Sequence, residues 1–205
     1  AFNDYVIPNE ALNNGEIDAN AFQHVPYLDE QSKQRGYKLA VVGNTFVYPI
    51  VAYSKKIKNL AELQNGSTIV IPNDPTNGGR SLLLLQKNGL LKLKESVGLL
   101  PKVTDIIANP RQLKILEIEA PQLPAVLDDK QVSIAIINNN FAAQAGLNAE
   151  KFGIMKEDKE SPYVNVIVAR QDNKNLEKVK NFVKAYQSSA VEKVALKAFK
   201  NGAVK

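Results

Sequence analysis

The sequence predicts an α/β protein, and three observations carry that expectation. Short apolar, β-branched runs recur along the chain, of the kind buried on both faces of a sheet. Segments with helical character separate them, and three of these close on a glycine, at Gly36, Gly66 and Gly89, where a left-handed residue ends a helix well. Strands that alternate with helices favour sheets that are mainly parallel.

In order along the chain, "AFNDYV" reads as the tail of a strand. "VPYLDEQSKQRG" (25–36) is the first helix, opened by Pro26. "KLAVVGNTFVYPIVAYS" (38–54) is long, β-branched and aromatic, and is expected as strand. "NLAELQNG" (59–66) is a helix candidate, "STIVIP" (67–72) a strand, and "GRSLLLLQKNG" (79–89) a helix entered through two glycines. "LKILEIEA" (113–120), "VSIAIIN" (132–138) and "YVNVIVAR" (163–170) are strands. From Asn173 to Phe199 the apolar residues fall at spacings of about three and four, as two successive amphipathic helices require.

Composition narrows the function classes. At 205 residues and 44% hydrophobic, the chain can form one large core or two smaller ones. It has no cysteine, which excludes disulfides, thiol catalysis and cysteine zinc sites. Its single histidine, His24, excludes a histidine metal cluster and any two-histidine relay. No Gly-x-Ser-x-Gly is present, and "NDPTNGGRS" lacks the Gly-Lys-Ser/Thr ending of a P-loop. The pair Asp128–Asp129 reads as a helix end and "EDKES" (157–161) as a solvated loop. No nucleophile, base and oxyanion donor come together, so no enzyme is expected and no catalytic residue, metal or cofactor is assigned. The net charge of +5 comes mostly from lysines scattered over amphipathic segments, with only Arg35, Arg80, Arg111 and Arg170 as arginines. Without an aromatic–basic motif, that pattern argues against nucleic acid as a partner. No apolar run reaches the ~20 residues that span a bilayer, and no signal peptide is visible.

Binding is the chemistry the residues do suggest. The stretch "IPNDPTNGGRSLLLLQ" (71–86) places a helix N-terminus, with its exposed N–H groups, next to Arg80. Thr76 or Asn77 could cap that helix, the glycines would let a ligand approach, and Arg80 can grip a carboxylate through two parallel hydrogen bonds. The competing interpretation is an ordinary capped helix with a surface arginine. "NAFQHVPYL" gathers Phe22, His24 and Tyr27 at a strand-to-helix junction, suited to an apolar ligand group or simply to core packing. "AIINNNFAAQ" runs a strand straight into Asn138, Asn139 and Asn140, at the carboxyl end where open α/β sheets place ligands. Asn165 interrupts an apolar strand, and its amide needs partners from backbone or ligand.

Together, "NDYVIPNEAL", "DANAFQHVPYLDEQ", "GNTFVYPIVAYSKKIKNLAEL", "IPNDPTNGGRSLLLLQ" and "DKESPYVNVIVAR" resemble the methionine-binding lipoproteins of bacterial ABC importers, over essentially the whole chain. The resemblance implies a two-lobed periplasmic-binding-protein fold of type II character, with a ligand cleft between lobes and two crossing strands as hinge. It implies lobe I from residues 1–47 and 163–205 and lobe II from 48–162. It also implies a signal peptide, a lipid-modified cysteine, and a first strand and helix that this sequence lacks. The same resemblance assigns Arg80 and Asn77 to the ligand carboxylate. Tyr5, Phe22, His24 and Tyr27 go to the thioether side chain, and Asn138 and Asn165 to the α-amino group. The implied partners are L-methionine, the importer's permease and ATPase subunits, and a membrane reached through an N-terminal lipid anchor. The alternative is an envelope lipoprotein paralogue or surface antigen with an accessory or structural role.

Overall fold

The computed structural model describes residues 2–158 and 161–199. In chain order the elements are α1 (Ile7–Asn13), β1 (Ala19–His24), α2 (Val25–Arg35), β2 (Leu39–Val47), β3 (Val51–Tyr53) and β4 (Thr68–Pro72). They continue with α3 (Pro75–Lys87), β5 (Lys92–Leu93), β6 (Ile106–Ala108), β7 (Lys114–Ile118) and β8 (Val132–Ile137). The last are α4 (Asn139–Gln144), α5 (Ala149–Phe152), β9 (Gly153–Lys156), β10 (Val164–Arg170), α6 (Glu177–Tyr186) and α7 (Ser189–Ala198). They fall into two compact units, the described residues of Ala1–Tyr48 and Lys159–Lys205 in the first, and Pro49–Asp158 in the second.

The first unit is built on a three-stranded sheet in the order β1-β10-β2. β1 and β2, joined by α2, each pair antiparallel with β10, which inserts between them. A strand supplied from late in the chain therefore makes this sheet antiparallel throughout, against the mainly parallel expectation. α2 forms as expected: Pro26 stands in its first turn and Gly36, at φ 70°, ends it. Leu12 and Leu28 pack with Val166 and Val168 into the core of this unit. Phe2–Val6 is not strand. Asp4 Oδ1 accepts the N–H groups of Val6 and Ile7 at 2.7 and 2.8 Å, so this segment is an Asx-type lead into α1. Against α6, Lys178 donates to Asp18 at 2.8 Å, and that hydrogen bond holds the Asp18 carboxyl below its ordinary range.

The second unit holds a five-stranded sheet in the order β7-β4-β8-β3-β9, parallel at β7-β4-β8 and antiparallel at β8-β3-β9. Ile69, Ile71, Ile134 and Ile136 are fully buried in its core, each side chain stabilising the fold by about 1.5–3 kcal/mol. Tyr53, also fully buried, has its hydroxyl pKa pushed up to about 12 by desolvation. The expected helix over 59–66 shrinks to a 3-10 turn at Leu60–Glu62. Asn59 caps that turn, and Leu63 is already extended, so too few residues remain to repay helix nucleation. Among the described residues no helix is long and apolar enough to cross a membrane.

Candidate ligand-binding site

The residues singled out in the sequence form one constellation in each unit. In the first, β1 carries the aromatic group. A register shift between Asn20 and Gln23 inserts a bulge, so two side chains three positions apart reach the same partner instead of opposite faces of the strand. Asn9, Asn20 and Gln23 form a buried amide network. Asn9 Nδ2 donates to Gln23 Oε1 at 2.7 Å, and Gln23 Nε2 returns a bond to Asn9 Oδ1 at 2.6 Å. Asn20 Nδ2 donates to Asn9 Oδ1 at 3.0 Å, and Gln23 Nε2 also donates to Asn20 Oδ1 at 3.1 Å. This network fixes β1 from within.

The Phe22 ring lies tilted 5.9 Å from Tyr5 and edge-to-face 6.1 Å from Tyr27, and Tyr5 and Tyr27 meet edge-to-face at 6.0 Å. The Tyr27 hydroxyl donates to the Tyr5 carbonyl at 2.8 Å, which ties the segment before α1 to α2. His24 is the N-cap of α2, with its Nδ1 accepting the Tyr27 N–H at 3.2 Å. An accepting Nδ1 carries no proton, so in this arrangement the ring is neutral with its hydrogen on Nε2. Asn165 is the register partner of His24 on β10, and its carbonyl accepts from Thr45 Oγ1 at 3.0 Å. Sequence reasoning assigned no role to Tyr163, which is buried with its ring 5.0 Å from His24. An aromatic after Pro162, two residues before Asn165, was the signal for it.

The second constellation lies at the start of α3. The helix begins earlier than expected: Asp74 is its N-cap and Pro75 its first residue, so Thr76 and Asn77 lie inside the first turn and neither caps it. Asp74 Oδ1 accepts the Asn77 N–H at 2.9 Å and the Thr76 hydroxyl at 2.9 Å. Asn77 Nδ2 donates to both carboxylate oxygens at 3.0 Å. Asn77 Oδ1 in turn accepts from Asn138 Nδ2 at 2.9 Å. The glycines serve packing, not ligand approach. A Cβ on Gly78 would meet the Pro72 carbonyl at 2.8 Å, and one on Gly79 would meet the Leu99 carbonyl at 2.8 Å.

Arg80 lies one turn beyond Asn77 on the same helix face and is 3% exposed. Its Nε donates to Glu157 Oε1 at 2.9 Å and its Nη2 donates to Glu157 Oε2, a bidentate pair. The 157–161 stretch is therefore not simply a solvated loop, because Glu157 turns inward; Lys159 and Glu160 lie outside the described residues. Beside Asn77, the Oδ1 of Asn138 and both amide atoms of Asn139 are buried with no partner among the described residues. Buried amides in that condition mark a place where a polar ligand or water completes the bonding. The structure thus brings Asn77, Arg80 and Asn138 together at the α3 N-terminus, and Tyr5, Phe22, His24, Tyr27 and Asn165 together around β1. Among the described residues no group of three or more His, Cys, Asp or Glu side chains could hold a metal.

Comparison with known proteins gives these constellations a context. The chain is 67% identical over 204 residues to the D-methionine-binding lipoprotein MetQ of Escherichia coli (strain K12), an alignment covering all of this chain and 75% of that protein. A crystal structure of the methionine-binding protein MetQ superposes with a TM-score of 0.97 at 67% identity, covering 100% of this chain and 83% of that one. A nutrient-binding protein from Burkholderia cenocepacia, solved bound to methionine, superposes with a TM-score of 0.94 at 50% identity, covering 99% and 85%. The family described as NlpA lipoprotein matches over residues 1–205, and the chain belongs to it.

Proposed function

We propose that this chain is the solute-binding component of a methionine ABC importer, a binding protein and not an enzyme. It takes L-methionine and delivers it to the importer's permease and ATPase subunits. It works in the cell envelope, held at the periplasmic face of a membrane by the lipid anchor of a lipoprotein. Arg80 and Asn77 receive the ligand carboxylate, Asn138 and Asn165 receive the α-ammonium through amide oxygens, and Tyr5, Phe22, His24 and Tyr27 surround the thioether side chain.

One observation carries the reading: a protein 50% identical to this chain, and alike in fold at a TM-score of 0.94, was solved with methionine bound. Its support is chemical as well. A nearly buried arginine one helix turn beyond Asn77, which pairs with an Asn138 whose amide oxygen has no partner among the described residues, suits a small zwitterion, and a ring cluster suits its apolar arm. Titration calorimetry with L-methionine, D-methionine and L-alanine tests it. Saturable binding of methionine, much tighter than that of alanine, is the expected result, and the two enantiomers rank the stereochemical preference. Absence of binding by either enantiomer would overturn the proposal.

A further inference from the structure

Three amides fill the space between α1 and β1 where apolar side chains would ordinarily serve. Asn9, Asn20 and Gln23 are 0%, 8% and 3% exposed. The oxygen of each accepts and the NH2 of each donates within the cluster, and Asn20 Nδ2 also donates to the Pro8 carbonyl at 3.2 Å. Exchanging such a set for apolar groups of the same shape is close to neutral for stability, because bonding returns about what desolvation took. What an apolar core lacks is direction. Amides meet in few arrangements, and a fully satisfied network specifies one of them.

The arrangement specified here is the register of β1. Asn20 stands opposite Val168 and Gln23 opposite Val166, so Ala21 and Phe22 together span the single Ile167 of β10. Leu12 of α1 packs with Val166 and Val168, and Asn9, one turn earlier on α1, meets Asn20 and Gln23. Regular pairing onward from Asn20 would put Phe22 opposite Val166 and His24 opposite Val164. Such a slip turns each side chain to the other face of the strand. Phe22 would then take the place of Gln23, and Gln23 would lose Asn9. In the bulged register both amides reach Asn9, Phe22 keeps Tyr5 and Tyr27, and His24 keeps Asn165 opposite it.

We infer that Asn9, Asn20 and Gln23 are positioning residues for recognition of the ligand's side chain. They hold β1 in its bulged register, and that register sets Phe22 and His24 in place. The three act through the rings and not by touching the ligand. This rests on the methionine reading above and deepens it.

A triple variant, Asn9→Leu with Asn20→Leu and Gln23→Met, keeps the bulk of the cluster and removes its direction. Its melting midpoint should stay near the native one. Cross-strand NOEs should show position 23 no longer opposite Val166. Calorimetry should show the methionine-to-alanine affinity ratio falling about tenfold, the equivalent of ~2 methylenes of lost burial. The swap Asn9→Gln with Gln23→Asn, which keeps an amide pair at the same two positions, should restore both register and ratio. A triple variant that retains the native pairing or the native ratio overturns the inference. So does an equal fall for both amino acids, which is what a merely structural cluster would give. Should the triple variant not fold, Gln23→Met alone, which leaves Asn20 donating to Asn9, is read by the same two measurements and the same criteria. If the native chain binds no methionine, the ligand reading falls, and the NOEs alone decide whether the amides hold the register.

Discussion

The two constellations are built on opposite principles. Around β1, five rings from Tyr5, Phe22, His24, Tyr27 and Tyr163 touch one another at centroid distances between 5.0 and 6.2 Å, backed by neutral amides. At the α3 N-terminus, one arginine, two carboxylates and two asparagines are joined by short directional bonds. Dispersion contacts are individually small and share their load, while a charged hydrogen bond in a buried place is concentrated in a single pair. The first group should degrade by degrees when a member is lost. The second should fail at a single substitution.

Arg80→Ala probes that contrast most severely. Removing the arginine strands Glu157 and takes away the carboxylate partner, so methionine binding should weaken by roughly 2–5 kcal/mol with the fold retained. Calorimetry beside a circular-dichroism melt checks this, and near-native affinity would take Arg80 out of the site.

Phe22→Ala should cost less and cost it selectively. Each buried methylene contributes about 0.8 kcal/mol, so methionine should lose about two such increments while alanine, lacking the arm, loses little. Equal losses for both amino acids would make the ring cluster core packing and erase the distinction drawn above.

Asp74→Ala removes an N-cap that accepts four hydrogen bonds, and a stability loss of about 1–2 kcal/mol in urea unfolding is expected. A midpoint unmoved by the change would show that Asn77 and the helix start are held by other means.

His24→Gln is expected to lower methionine affinity by only a few-fold, because an amide can replace the cap that Nδ1 supplies to Tyr27 but not the ring face. Chelators should leave binding untouched. Loss on EDTA treatment, restored by zinc or manganese, would contradict a His24 that acts only through its ring and its cap to Tyr27.

The smallest effect concerns Asp18, whose carboxyl is held low chiefly by Lys178. A lowered native value stabilises the fold above the ordinary carboxyl range, and that contribution is lost as pH falls through the native value. Asp18→Asn should therefore slightly flatten the acid limb of a stability–pH curve; an unchanged limb would mean the pair is inert.

Local chemistry was the legible part of this sequence. α2 was readable because Pro26 and Gly36 mark its ends, and Arg80 because a helix start preceded it by a few residues. The true cap of α3 was written as Asp-Pro, but Asn73 to Thr76 read as loop and the glycines as the helix start, which placed the cap at Thr76 or Asn77, two or three residues late. Gly78 and Gly79 look alike for ligand approach and for close protein packing, and only the neighbours Pro72 and Leu99 decide between them. Contacts distant in sequence had no local signal, and only the family resemblance set 163–205 beside 1–47. Glu157 lies 77 residues from Arg80, and β10 inserts between β1 and β2 from the far end of the chain. Nothing local announces either.

One carboxylate gives the second constellation a direction. Ionised Asp74 can only accept, so the NH2 end of Asn77 must face it and the oxygen end must point away. That oxygen accepts from the NH2 of Asn138, which leaves the Asn138 oxygen buried and without a partner among the described residues. Polarity is thus handed along two symmetric-looking amides like a row of dominoes that can fall one way only. An acid two amides removed thereby dictates that Asn138 presents an acceptor, the sign an ammonium needs. With asparagine at position 74 the row could fall either way, and the same shape would no longer encode one charge.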